Sequence, residues 1–304
     1  MWKKIGIGIL CLVLGGAIVM TLVFNAKGTK KEIKVLSIGH SYSLNSCEYI
    51  GEIAASQGVN LTVGVAYVGN CALNMHYDFL KEGALYGGAI NGWYEKFLPN
   101  GESEKHVDEY TLEDIIKDEE WDYIMFQQNL NYAGIWEIVE ECLPPLQAEV
   151  KKIAEANQDK EVQYLYNQIW GMEDEAHNPA SIPLAVYDEY QHDAEMMYQM
   201  VSETSKKAAE TFHLHLVPTG EAFQNAREQA MFNADEGGHI LVADDSNHAN
   251  DYGKYLAGVT WFEAITKVKV DKETAYYPDV LTKEEAHLLI DCATEAVSHT
   301  GLEF

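Results

Sequence analysis

Two short stretches, far apart in the chain, carry residue types that could do chemistry together. Near the start, the apolar run Lys34-Val-Leu-Ser-Ile stops at Gly39 and delivers His40-Ser41-Tyr42-Ser43; near the end stands Asp245-Ser-Asn-His248. A serine hydroxyl becomes a good nucleophile when an imidazole takes its proton, and the imidazole needs a carboxylate to fix its tautomer and steady its positive charge. An Asp-x-x-His loop supplies both. The pattern therefore points to acyl transfer, with Ser41 as nucleophile, His248 as base and Asp245 as the acid that orients it. Each half alone has a plainer reading, since a serine after a strand commonly caps a helix. Ser43 is the second nucleophile candidate and Asp244 the second acid, ranked lower on spacing.

The elements that must position these residues alternate. Short β-branched runs at 33–38, 61–68, 122–126, 162–169 and 214–217 read as strands. Between and after them, 45–57, 74–82, 137–157, 183–211, 221–232, 251–266 and 282–298 read as helices, and Thr111-Leu-Glu-Asp114 opens a shorter one. Residues 83–110, with Gly87-Gly88, Asn91-Gly92 and Asn100-Gly101, read as an excursion of turns or a hairpin. Strands separated by helices imply an α/β fold, a three-layer α/β/α sandwich on a mainly parallel, flavodoxin-like five-stranded sheet. Ligands in such folds bind at the carboxyl ends of the strands. Ser41, Gly69, Gln127 and Gly220 all fall just past expected strand ends.

With these residues placed, the chain resembles the SGNH, or GDSL-like, hydrolases over about residues 33–268, in a bacterial branch whose first block reads Gly-Asn-Ser-[Phe/Tyr]-Ser. Ile38-Gly-His-Ser-Tyr-Ser43 matches that block, Val68-Gly-Asn-Cys-Ala-Leu73 the second, and Asp245 to His248 followed by Gly253-Lys-Tyr-Leu-Ala-Gly258 the last; Leu216-Val-Pro-Thr-Gly-Glu-Ala222 also looks like this branch. The resemblance implies a serine esterase, with an oxyanion hole built from the Ser41 and Gly69 N–H groups and a side-chain amide. It departs from the family at two points. The third block usually holds Gly-x-Asn-Asp, whereas the strand here ends Met125-Phe-Gln-Gln-Asn129; Gln127 is the expected amide, with Gln128 as the alternative. His40 stands where the family has Asp or Asn, a position that supports the turn.

Charge and termini narrow the class further. Residues 32–304 hold 48 acidic against 16 basic residues, net −32, which excludes a nucleic-acid partner and disfavours an anionic surface. Residues 1–31 are set apart as a membrane anchor or signal segment: Lys3-Lys4, an uncharged apolar run from Ile5 to Phe24, then Asn25 to Lys31. That run is long enough for one membrane-spanning helix, placing residues 32–304 as a hydrolase domain outside the cytoplasm, or secreted if the run is cleaved. Cys47, Cys71, Cys142 and Cys292 have no Cys-x-x-Cys spacing, so free thiols are expected and no metal or other cofactor is implied. His213-x-His215, on an expected strand, lacks a third ligand. The substrate expected is a small-molecule or glycan O-acyl ester, O-acetyl in kind, with Asn70, His76, Tyr132 and Trp170 near its binding site; Trp93, Tyr94 and Trp136 are further aromatics in or beside strand-end loops. The competing reading is a weak or inactive cell-surface glycan-binding protein on the same fold.

Overall fold

The computed structural model describes residues 8–14, 17–23, 32–174, 177, 189–191, 193–245 and 247–301. They fall into two units, the second beginning at Glu32. In the first, strands β1 (Gly8–Leu14) and β2 (Ala17–Val23) pair antiparallel. This corrects the expected helix: Gly15-Gly16 interrupts the apolar run, and the flanks are rich in β-branched Ile, Val and Thr, the sequence signs of a hairpin. Among the described residues, no helix is long and apolar enough to cross a membrane.

The second unit is an α/β/α sandwich. In chain order it runs β3 (Glu32–Gly39), α1 (Ser41–Cys47), α2 (Ile50–Ser56), β4 (Asn60–Val68), α3 (Leu73–Glu82), β5 (Gly92–Phe97), β6 (Ser103–His106), α4 (Leu112–Lys117) and β7 (Tyr123–Phe126). It continues through α5 (Trp136–Asn157), β8 (Gln163–Asn167), α6 (Ala194–Thr211), β9 (His215–Val217), α7 (Thr219–Arg227), α8 (Asp251–Thr266) and α9 (Lys283–His299). The sheet order is β6-β5-β4-β3-β7-β8-β9. Its five parallel strands are the five expected; β5 and β6 add an antiparallel hairpin at one edge, so the sheet has seven strands.

Each face of the sheet carries its own core. Val35, Val63, Val65, Met125 and Leu165 face α1, α2 and α8, while Leu36, Ile38, Ala66, Phe126 and Tyr166 face α3 and α5. The alternation of odd and even residues across one strand is the two-residue period of a pleated sheet buried on both sides. Helix α8 is apolar nearly all round and buried over most of its length, as a helix inside the core must be. Its fixed position matters because it follows directly on the Asp245–His248 loop.

Several expected bounds moved for physical reasons. The helix expected over 45–57 starts earlier, at Ser41, because His40 caps it: the His40 Nδ1 accepts from the Tyr42 N–H at 3.5 Å. It is then broken at Glu48-Tyr49 into α1 and α2. Helix α7 starts at Thr219 rather than 221, and α6 starts at Ala194, capped by Asp193. The rest of the helix expected from 183 lies outside the described residues, apart from 189–191 and 193. His213 and His215 do not share a strand: His213 has φ +55 in the turn, and only His215 belongs to β9.

Candidate active site

The nucleophile turn is made by close approach. A side chain at Gly39 would place its Cβ 2.6 Å from the Ser43 hydroxyl and 2.8 Å from Gln127 Oε1, so only glycine lets β3 end here against β7. Ser41 follows as the first residue of α1, where a backbone N–H has no partner within the helix. That leaves the Ser41 N–H available to a developing negative charge.

Two buried histidines hold this turn from below. His40 donates from Nε2 to the Gln128 carbonyl at 3.2 Å. His76 donates from Nε2 to the Gly39 carbonyl at 3.1 Å and accepts from the Tyr86 hydroxyl at 2.8 Å. Both rings are neutral in these bonds. Burial lowers the pKa of His40 to about 3 and of His76 to about 4. The expected supporting role of His40 fits this geometry. His76 does not line a substrate crevice: it is fully buried and both its nitrogens are taken.

The second half of the site is a stapled loop. Asp245 Oδ1 accepts the N–H of Asn247 at 3.2 Å and of His248 at 2.9 Å, and its Oδ2 accepts from His248 Nδ1. Burial works to raise the Asp245 pKa, but these hydrogen bonds outweigh it and hold the carboxyl below its ordinary value. Asn45 of α1 takes the Ala249 N–H at 3.0 Å, and Asn250 ties the Ile240 and Val242 carbonyls while capping α8. The loop is thus fixed both to α1 and to α8, which it precedes. His248 Nε2 stands 2.7 Å from Ser41 Oγ, completing an unbroken Ser–His–Asp chain from residues 207 positions apart. The side chains of His248 and Asp245 are about two-fifths exposed, so a substrate can reach them.

Trp170 belongs to the support of this loop, which corrects its reading as a sugar platform. It is fully buried, donates to the Asn247 carbonyl at 2.7 Å, and lies between Tyr42 and Phe223 in a parallel stack with centroids 4.0 and 4.6 Å away. Tyr94 is buried, and Trp93 packs on Tyr67 with the Lys105 ammonium 3.3 Å from its ring centre, so its faces are taken. Trp136 likewise lies under Lys207 and stacks on Phe212. Tyr132 and Asn70 remain exposed at the strand ends.

The oxyanion side differs from what the family resemblance implied. Gly69 donates its N–H to the Asn91 carbonyl at 3.2 Å, because β5 pairs with β4 up to Val68–Gly92 and this bond extends the ladder by one step. Gln127 turns its Oε1 to the Ser43 hydroxyl at 2.8 Å and the His40 N–H at 3.5 Å; its buried nitrogen has no partner. Gln128 points to the other face, where its Oε1 takes the N–H groups of Leu73 and Asn129. The residue that reaches the second block is Asn129, whose Nδ2 donates to the Asn70 carbonyl at 3.0 Å and keeps a second N–H. Spacing was its signal: if Gln127 takes the place of the third-block glycine, Asn129 takes that of the asparagine.

No group of three or more potential metal ligands occurs among the described residues, and all four cysteines outside the N-terminal run are free. Burial raises the Cys71 and Cys292 thiols to about 12, far from reactive thiolates.

The sandwich, the serine turn at the end of β3 and the Asp-x-x-His loop before α8 together make this an SGNH-like fold. No curated protein matches the chain. Among solved structures it is similar to a DUF4886 family protein from Bacteroides uniformis, with 27% identity over 90% of this chain and 98% of that one, and a TM-score of 0.76. Looser likenesses are an SGNH hydrolase candidate from Slackia heliotrinireducens (17% identity, 77% and 98% covered, TM-score 0.48) and an acetyl xylan esterase (14%, 77% and 100%, 0.45). A family model described as a domain of unknown function, DUF4886, matches residues 34–296, and the chain belongs to that family.

Proposed function

We propose that the protein is a serine esterase that hydrolyses O-acyl esters, O-acetyl in kind and carried on carbohydrate, through an acyl-enzyme. The observation that carries this reading is the 2.7 Å contact between Ser41 Oγ and His248 Nε2, on an imidazole held by Asp245. His248 takes the Ser41 proton as Oγ attacks the ester carbonyl, then gives it to the departing alcohol oxygen as the tetrahedral intermediate collapses to acyl-Ser41. Water, deprotonated by the same imidazole, attacks the acyl group, and the proton returns to Oγ as the acid leaves. The Ser41 N–H and the second N–H of Asn129 Nδ2 are the donors proposed for the oxyanion.

The test is acetate release from p-nitrophenyl acetate by the wild-type chain beside Ser41→Ala. Turnover lost in the variant supports the esterase. A folded wild type without turnover favours the second reading, a glycan-binding protein on this fold. One observation speaks for that second reading: the Gly69 N–H is already committed to Asn91, leaving the oxyanion one backbone donor fewer. The lysine-bounded apolar run ahead of Glu32 motivates an extracytoplasmic location for residues 32–304, which protease shaving of intact cells checks.

A further inference from the structure

Among the described residues, seven large apolar side chains are more than a third exposed, and two of them stand at the carboxyl end of the sheet: Met75 (38%) and Tyr132 (36%). They lie in segments joined by hydrogen bonds to the nucleophile turn. His40, the neighbour of Ser41, holds the Gln128 carbonyl; Gln128 takes the Leu73 N–H at the start of α3, two residues before Met75. Asn129 bridges to the Asn70 carbonyl and accepts the Tyr132 N–H at 3.1 Å. Tyr132 has no aromatic or cationic partner among the described residues, unlike Trp93, Trp136 and Trp170. Its neighbour across the Asn129 bridge, Asn70, is exposed and holds the left-handed backbone region (φ +52).

A partly exposed ring, a partly exposed thioether and an exposed asparagine, in segments tied by hydrogen bonds to the nucleophile turn, are complementary to one kind of ligand. A pyranose presents an apolar C–H face for stacking and hydroxyls at its edge for an amide, and a neutral one meets no repulsion from a domain of net charge −32. Resting on the esterase reading, we infer that Tyr132 is a specificity residue: the neutral sugar ring that carries the acyl ester stacks on Tyr132, flanked by Met75, with a ring hydroxyl on Asn70. The same subsite would serve the glycan-binding reading.

The experiment compares wild type, Tyr132→Ala and Tyr132→Phe in two measurements. The first is kcat/KM for methyl tri-O-acetyl-xylopyranoside divided by that for ethyl acetate, which has no ring to stack. The expected result is a roughly tenfold fall in this ratio for Tyr132→Ala, with Tyr132→Phe within about twofold of wild type, since the ring and not the hydroxyl does the binding. An unchanged ratio in Tyr132→Ala, with ethyl acetate still hydrolysed, overturns the subsite while leaving the esterase standing. The second is binding of the same acetylated glycoside by calorimetry in a Ser41→Ala background, which needs no turnover. If no ester is hydrolysed, the esterase reading falls, and the subsite stands if Tyr132→Ala weakens binding about tenfold and falls if it does not.

Discussion

The hydroxyl of Ser41 and the two nitrogens of His248 set what single substitutions should do. Asp245→Asn keeps the shape of the loop but removes the charge that orients the imidazole and steadies its protonated form, so kcat should fall about 10⁴-fold in steady-state assays with little change in KM. The two amides past β7 should part company. Asn129→Ala removes a proposed oxyanion donor and should lower kcat about 100- to 1000-fold, in addition to losing its bond to the Asn70 carbonyl. Gln127→Ala instead strips the acceptor of the Ser43 hydroxyl and the His40 N–H inside the turn, so its signature is a fall in Tm. If Gln127→Ala leaves Tm intact and abolishes turnover, the roles assigned to these two amides are reversed.

At the scale of elements, the loop ahead of α8 is held by Trp170 rather than by its own packing alone. Trp170→Phe keeps the stack between Tyr42 and Phe223 but loses the bond to the Asn247 carbonyl, which should cost about 1 kcal/mol of stability and lower kcat about tenfold as His248 loses its fixed approach to Ser41. Denaturant melts together with kcat separate this from a purely structural effect. The five parallel strands and the serine turn were legible in the sequence because short β-branched runs and a glycine stop are local signals. The β5–β6 hairpin was only half legible: its turn residues stood out, but its pairing onto β4 is a long-range choice. That same pairing takes the Gly69 N–H, so the part of the sheet whose pairing the sequence left open is also the part that changes the expected oxyanion hole. Trp170 was misread for a related reason, since a tryptophan past a strand end looks the same in sequence whether it faces solvent or a neighbouring stack.

For the whole molecule, the buried ionisable groups link stability to pH with opposing signs. His40 and His76 have pKa values of about 3 and 4 in the fold, below the ordinary 6.5, so the unfolded chain binds more protons. Their contribution is complete above pH 6.5 and is lost as pH falls towards those values, at about 1.4 kcal/mol per unit for each ring. Burial raises the Glu263 pKa to about 7 from 4.5, although the Val270 N–H and Thr294 hydroxyl work against the rise. Its contribution is complete below pH 4.5 and is lost as pH rises through 7. Between pH 4.5 and 6.5 the two histidines therefore outweigh the one carboxyl, and stability should rise with pH by about 1.4 kcal/mol per unit. Urea melts across that window check the slope, and His76→Gln should flatten it to near zero.

The kinetic expectations depend on Ser41 being an activated nucleophile in the intact molecule. The most direct test is to treat the wild-type chain with a fluorophosphonate and locate the adduct by peptide mass spectrometry. The geometry predicts one adduct, on Ser41, absent in Ser41→Ala and strongly reduced in His248→Ala. A folded chain that takes no adduct while a control serine hydrolase is labelled, or one labelled on Ser43 instead, would contradict it.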